Sequence, residues 1–136
     1  MKIKHLFSNI VLLTALFLAS CSSVKISDAD SCMERGEYYN AAKAYRKVYN
    51  KVKKRELRHL RAESAFKMGE CYRHLGQNEA AAGAYRNALR YGYPDSIAVL
   101  RLAQSLHGEG KYQAAVKSYE DYLSFLSLIH ISEPTR

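Results

Sequence analysis

Gly76-Gln77-Asn78-Glu79-Ala80-Ala81-Ala82-Gly83-Ala84-Tyr85 is one of three related ten-residue stretches in this chain of 136 residues. The other two begin at Gly36 and Gly110, and every copy has an alanine five residues after its glycine and a tyrosine nine residues after it. The glycines lie 76 − 36 = 40 and 110 − 76 = 34 residues apart. Self-similarity at such a period is the signature of a repeat architecture. We interpret the shared positions as packing residues of the repeat: Gly36, Ala41, Tyr45, Gly76, Ala81, Tyr85, Gly110, Ala115 and Tyr119.

Apolar residues on both sides of each glycine recur at the spacing of amphipathic helices, as Met68 and Tyr72 do before the second glycine. A glycine readily ends a helix, and Pro94 cannot continue the helix that precedes it. The first helix should begin at Asp28, with Ser27 as its N-terminal cap. The sequence therefore predicts an all-α fold of three helix-turn-helix units, at about residues 27–55, 62–95 and 96–126.

Met68-Gly69 and Tyr72 resemble the leucine-glycine pair and the tyrosine of the tetratricopeptide repeat family, and the resemblance extends over about residues 23–126. Ala29 and Ala103 stand in place of the glycine in the other two copies. The resemblance implies a solenoid in which stacked units bury a shared core. It also implies a groove, lined by the first helix of each unit, that binds a protein or peptide. The candidate groove residues are Asp30, Met33, Glu34, Glu63, Phe66, Lys67, Glu70, Arg73, His74, Ile97, Leu100, Arg101, Gln104 and His107.

The N-terminus has the pattern of an export signal. Lys2 and Lys4 precede an apolar run at residues 6–18, which is shorter than the roughly 20 residues that a membrane-spanning helix needs. We therefore interpret residues 1–20 as a signal peptide and not as a transmembrane segment.

Leu18-Ala19-Ser20-Cys21 at the end of this run resembles the lipobox of bacterial lipoproteins. The resemblance implies cleavage between Ser20 and Cys21, lipidation of Cys21, and a lipidated linker at residues 21–26. Two or more acyl chains anchor a protein stably to a membrane. By analogy with lipoprotein sorting signals, Ser22 in place of an aspartate and the lack of an acidic cluster after Cys21 imply the periplasmic face of the outer membrane. The alternative is an ordinary signal peptide in which Cys21 is accidental.

A basic run lies between the first two units, where the longer period inserts 40 − 34 = 6 residues. The formal net charge is +8, or 8 − 2 = +6 without Lys2 and Lys4. Such a run can bind nucleic acid; the alternatives are a solvated helix end or a loop that touches anionic lipid or cell-wall polymer. We expect no nucleic-acid partner. The run comprises Lys51, Lys53, Lys54, Arg55, Arg58 and Arg61.

Catalytic and metal-binding motifs are not found in the sequence. Cys32 and Cys71 could form a disulfide outside the cytoplasm, but they lie on helices of different units and are expected to be free. The histidines have no metal-ligand spacing and are expected at the surface or at helix ends. We predict no metal, no cofactor and no enzymatic activity. The histidines considered are His59, His74, His107 and His130.

The C-terminal residues 127–136 have no repeat character. We interpret them as a non-native or disordered tail and expect the natural protein to continue beyond about Phe125, because a solenoid needs a polar capping element.

The lipobox and the repeats together resemble the N-terminal part of Bacteroidetes envelope lipoproteins, which include the PorE-type component of type IX secretion. That resemblance implies a non-enzymatic scaffold in envelope assembly or secretion, with a missing OmpA-like domain that binds peptidoglycan. One alternative is a BamD-like lipoprotein for outer-membrane protein assembly. Another is an adaptor of an envelope enzyme whose catalytic domain is missing.

Overall fold

The computed structural model describes the backbone of residues 25–132 and the side chains of residues 25–128. The predicted signal peptide, its cleavage site at Ser20 and Cys21, and most of the linker lie outside the described residues. The described chain forms six α-helices, which are α1 Ile26–Glu34, α2 Tyr38–Lys51, α3 Arg58–His74, α4 Asn78–Arg90, α5 Ile97–Gly108 and α6 Tyr112–Ser132, with a 3-10 turn at Arg55–Leu57 before α3.

Helices α1 and α2, α3 and α4, and α5 and α6 form three helix-turn-helix units, as the sequence predicted. Each helix packs mainly against the helix before it and the helix after it. Such nearest-neighbour packing is the defining property of a solenoid, in which every unit depends on the next for a buried face. Within residues 25–132 no strand interrupts this arrangement, so the predicted all-α class is confirmed.

A left-handed glycine ends the first helix of every unit. At Gly76, φ is +69°, a conformation that costs other residues energy because of their Cβ atom. The Gly76 N–H donates to the Arg73 carbonyl at 3.0 Å and the Gln77 N–H donates to the Tyr72 carbonyl at 2.9 Å, which satisfies carbonyls at the helix end. Gly36 and Gly110 adopt the same conformation. The prediction that these glycines end the helices is therefore confirmed.

Two of the three units have a fully buried tyrosine ring at their core. Tyr45 and Tyr85 are both 0% exposed. An added Cβ at Gly69 would lie 2.6–3.0 Å from three atoms of the Tyr85 ring, so only glycine fits there without a shift. Tyr119 of the third unit is half-buried. The alanines at the small positions of the repeat are buried: Ala29, Ala41, Ala81, Ala103 and Ala115. The three repeat glycines, which were also interpreted as packing residues, are exposed and act through their backbone conformation instead.

Helix boundaries differ from the sequence prediction at three places. Helix α1 begins at Ile26 and its cap is Lys25, so Ser27 is not the cap; the Asp28 carboxylate accepts the Lys25 N–H at 3.4 Å instead. Helix α3 begins at Arg58, because the 3-10 turn leads directly into it. Helix α6 runs to Ser132, and no glycine or proline occurs in this stretch before Pro134 to end it. Residues 127–132 are thus helical and not disordered, while their non-native origin stays a prediction.

The contact between Gly69 and Tyr85 makes a prediction about stability. Replacing Gly69 by alanine should lower the free energy of unfolding by about 1–3 kcal/mol, because a buried ring has little room to move away from a new methyl group. Denaturant unfolding followed by circular dichroism would measure the change.

Gly83→Ala is the matched control on α4. No atom lies within 4 Å of an added Cβ at Gly83, so this variant should be neutral or more stable by about 0.5–1 kcal/mol, since alanine favours the helix. Equal stability of the two variants would contradict the packing argument.

Candidate functional site

The first helices of the three units form one continuous surface, which we call the first-helix face (α1, α3 and α5). Lys67 Nζ of α3 lies 2.8 Å from Asp30 Oδ1 of α1. Arg101 Nε of α5 lies 3.3 Å from Glu70 Oε1 of α3. The structure thus brings the predicted groove residues of neighbouring units together.

Asp30 is the acceptor at the first junction of this face. Its Oδ1 accepts hydrogen bonds from the Tyr45 hydroxyl at 2.6 Å and from Lys67 Nζ at 2.8 Å. Lys67 also pairs with Glu63 at 3.1 Å. Partial burial acts to raise the pKa of Asp30, but the hydrogen bonds from Lys67 and Tyr45 outweigh it, so the pKa lies below its usual value.

Glu70 occupies the same place at the second junction and is more deeply buried, with its side chain 13% exposed. Its carboxylate accepts hydrogen bonds from the Tyr85 hydroxyl at 2.6 Å and from Arg73 Nη2 at 2.8 Å. Burial would raise the pKa of Glu70, but these bonds and the charges of Arg73 and Arg101 lower it overall. Burial, and then the bond to Glu70, raise the pKa of Tyr85. Glu70 is therefore held as a carboxylate.

The two junctions repeat one arrangement, which we call the acid–tyrosine ladder (Asp30, Tyr45 and Lys67; Glu70, Tyr85 and Arg101). In each, a carboxylate accepts from the tyrosine of its own unit and pairs with a basic residue of the next unit. Gln104 stands at the position of the carboxylate in the third unit and accepts a hydrogen bond from Arg101 Nη1 at 3.0 Å. The ladder ties the three units to one another.

The remaining groove candidates divide into stacked and open side chains. The Phe66 ring stacks on Tyr93 with centroids 4.3 Å apart, and His74 stacks on Tyr38 at the same distance. Met33, Ile97 and Leu100 are half-buried, and Glu34, His74, Gln104 and His107 are exposed. Asp30, Lys67 and Arg101 of the ladder are half-buried as well, but their charged groups are already paired within the protein.

Cys71 is buried, Cys32 is half-buried, and both are free, as the sequence predicted. Burial, with a smaller contribution from the charge of Glu70, raises the pKa of the Cys71 thiol to about 11. His59, His74 and His107 are exposed, whereas His130 lies outside the described side chains. Among the described residues no group of three or more His, Cys, Asp or Glu side chains could hold a metal ion. No helix in that same part of the chain is both long enough and apolar enough to cross a membrane.

The hydroxyl groups of Tyr45 and Tyr85 are the part of the site that the sequence analysis missed. Both tyrosines were assigned to packing, and their rings do pack. The available signal was the acidic residue that directly follows the small residue, in Ala29-Asp30 and in Gly69-Glu70.

Comparison with known proteins identifies the second unit. Residues 63–96 match the family model described as tetratricopeptide repeat. This range covers most of α3, all of α4 and the connection to α5, and it is the copy that resembles the family best in sequence. No curated protein and no solved structure matches the chain. The described chain is an all-α solenoid whose second unit is a tetratricopeptide repeat, a kind of module that typically binds other proteins.

The Glu70 site predicts a specific pH dependence of stability. Glu70→Gln should lower the free energy of unfolding at pH 7 by about 1–2 kcal/mol, because a neutral amide replaces a charged acceptor. The pKa of Glu70 is lower in the folded state, so its contribution is fully present above the usual value of 4.5 and is lost as the pH falls through the folded pKa. The difference between wild type and variant should therefore shrink below about pH 4.5.

Glu120→Gln, at an exposed position of α6, is the control and should change stability by less than about 0.5 kcal/mol. Urea titrations of all three proteins between pH 7 and pH 3 would test the prediction. A Glu70→Gln difference that grows towards low pH would refute it.

Proposed function

We propose that this protein is a non-enzymatic outer-membrane lipoprotein, at the periplasmic face, whose first-helix face binds a protein or peptide partner in envelope assembly or secretion. The proposal rests on the stacked solenoid. The ladder holds the first helices in place, and other side chains of the first-helix face take no part in the ladder. A preorganised surface lowers the entropy cost of binding.

The composition of the open part of this face favours a peptide with both apolar and polar side chains. Ile97 and Leu100 offer half-buried apolar surface, and Gln104 and His107 offer exposed polar groups beside it. The ladder charges are paired within the protein, so a partner that displaced them would have to replace bonds between charged groups, which are stronger than neutral ones. Recognition is therefore expected to rest on the residues that differ between units.

Support for the anchor comes from sequence alone. Cys21 comes shortly after a basic start and an apolar run. This order of segments resembles that of bacterial lipoprotein signal peptides. Lipidation at this point would leave only residues 22–25 between the membrane and α1, so the solenoid would be held close to the membrane surface.

A photo-crosslinking experiment tests the binding surface. A benzophenone side chain at Gln104, on the first-helix face, should give a discrete crosslinked adduct in cells of the source organism. The same probe at Arg86, which is exposed on the second helix of its unit, is the control and should give none. Adducts of equal yield at both positions, or at neither, would refute the assignment of the face.

Replacing Cys21 by alanine tests the anchor independently. The variant should move from the membrane fraction to the soluble fraction and should lose incorporation of labelled palmitate, because no thiol is left to acylate. Cys32→Ala is the matched control and should stay in the membrane fraction. Membrane association of the Cys21→Ala variant would show that the chain is not held by a lipid on this residue.

A further inference from the structure

The connection between α2 and α3, the first turn of α3 and the C-terminal end of α4 line a pocket of about 270 Å³. We call it the basic pocket. Six of its seven lining residues are basic, which places six formal positive charges around a small volume. The lining residues are Lys53, Lys54, Arg55, Arg58, Arg61, Arg90 and Tyr91.

Arg58 is fixed within this pocket by the end of α4. Its Nε donates to the Tyr91 carbonyl at 3.1 Å and its Nη2 donates to the Arg90 carbonyl at 2.8 Å. These carbonyls belong to the last turn of a helix, where partners are needed and where a cation is favourable. The Arg58 side chain is therefore preorganised.

Arg61 is fixed by stacking. Its guanidinium carbon lies 4.6 Å from the centroid of the Tyr49 ring and 4.3 Å from that of Tyr91. Cation–π contacts of this kind hold the side chain in place and leave its full charge. Its Nε is buried and has no hydrogen-bond partner among the described residues.

Among the described residues, no matching set of negative charges lines the pocket. Glu56 lies in the 3-10 turn beside it and is exposed. Within the part of the chain that the structure describes, neither Glu56 nor another carboxylate forms an ion pair with the six basic residues. Like charges held together repel one another, and a bound anion would relieve that repulsion.

We propose that the basic pocket binds a phosphate group, supplied either by a soluble phosphate compound or by the headgroup of an anionic phospholipid. A phosphate carries up to two charges on several acceptor oxygens, and arginine side chains match it with pairs of parallel hydrogen bonds. Arg58 and Arg61 are already fixed, so these two side chains lose little entropy when the anion binds. The proposal is independent of the first-helix face and of Cys21.

The test is a titration of the full chain with inorganic phosphate, followed by nuclear magnetic resonance of the arginine Nε–Hε groups. Sodium chloride at equal ionic strength controls for screening. The resonances of Arg58 and Arg61 should shift saturably with phosphate and not with chloride. Shifts that do not saturate, or that chloride reproduces, would overturn the proposal.

A pair of charge-matched variants localises the site. Lys53→Ala/Lys54→Ala/Arg55→Ala removes three exposed pocket charges and should weaken phosphate binding by at least about tenfold. The control variant removes three exposed charges outside the pocket and should bind phosphate within about twofold of wild type. Equal binding by the two variants would overturn the proposal. The control substitutions are Lys43→Ala, Lys47→Ala and Lys117→Ala.

Vesicles distinguish the two sources of phosphate. Both triple variants, each also carrying Cys21→Ala so that no acyl chain anchors them, are compared for co-sedimentation with vesicles of phosphatidylglycerol and phosphatidylcholine. A loss of vesicle binding in the pocket variant alone supports a lipid headgroup as the ligand. Equal vesicle binding by the two variants, together with weaker phosphate binding by the pocket variant, supports a soluble phosphate compound.

Discussion

The hydroxyl-to-carboxylate bond of a buried tyrosine sets the constraint on which the first two units depend. The Tyr85 ring is fully buried, so its hydroxyl needs a partner inside the protein, and Glu70 provides one at 2.6 Å. The ring in turn requires a small residue on the facing helix, and Gly69 meets that requirement. One side chain thereby fixes the identity of two neighbouring positions. In the first unit the Tyr45 hydroxyl donates to Asp30 in the same way, and the neighbouring Ala29 is buried.

The ladder extends this constraint from one unit to the next. A carboxylate that is already held by its own tyrosine presents its other lone pairs to Lys67 or Arg101 of the following unit. The ladder has an uncharged residue at each of its two ends. Ser27 of the first unit is at the position of Lys67 and Arg101 in the later units, and Gln104 of the third unit is at the position of Asp30 and Glu70. A charged ladder residue is therefore found where the neighbouring unit supplies the opposite charge. For this reason the ladder charges of the first-helix face are neutralised within the protein.

The architecture could be predicted from the sequence because it rests on local rules. Gly36, Gly76 and Gly110 end helices through their own backbone conformation, and the helical period follows from the apolar spacing. The ladder could not be predicted as easily, because Asp30 and Lys67 are 37 residues apart and meet only after the units stack. The role of Arg58 could not be predicted for the same reason. In the sequence it belongs to a basic run, but in the structure it donates to a carbonyl at the end of α4, 32 residues away.

The basic pocket and the first-helix face differ in their charge. The six basic residues of the pocket have no carboxylate partners among the described residues, whereas the carboxylates and basic groups of the ladder are paired with one another. The formal net charge is +8, and Lys2 and Lys4 account for two of these charges, which leaves 8 − 2 = +6. The basic pocket contains six basic residues, so the positive and negative charges of the rest of the chain cancel. The excess positive charge therefore equals that of the connection between α2 and α3, the first turn of α3 and the end of α4 taken together. The first two units are joined by 40 − 34 = 6 more residues than the last two, and Lys53, Lys54 and Arg55 of that connection supply half of the positive charge of the pocket.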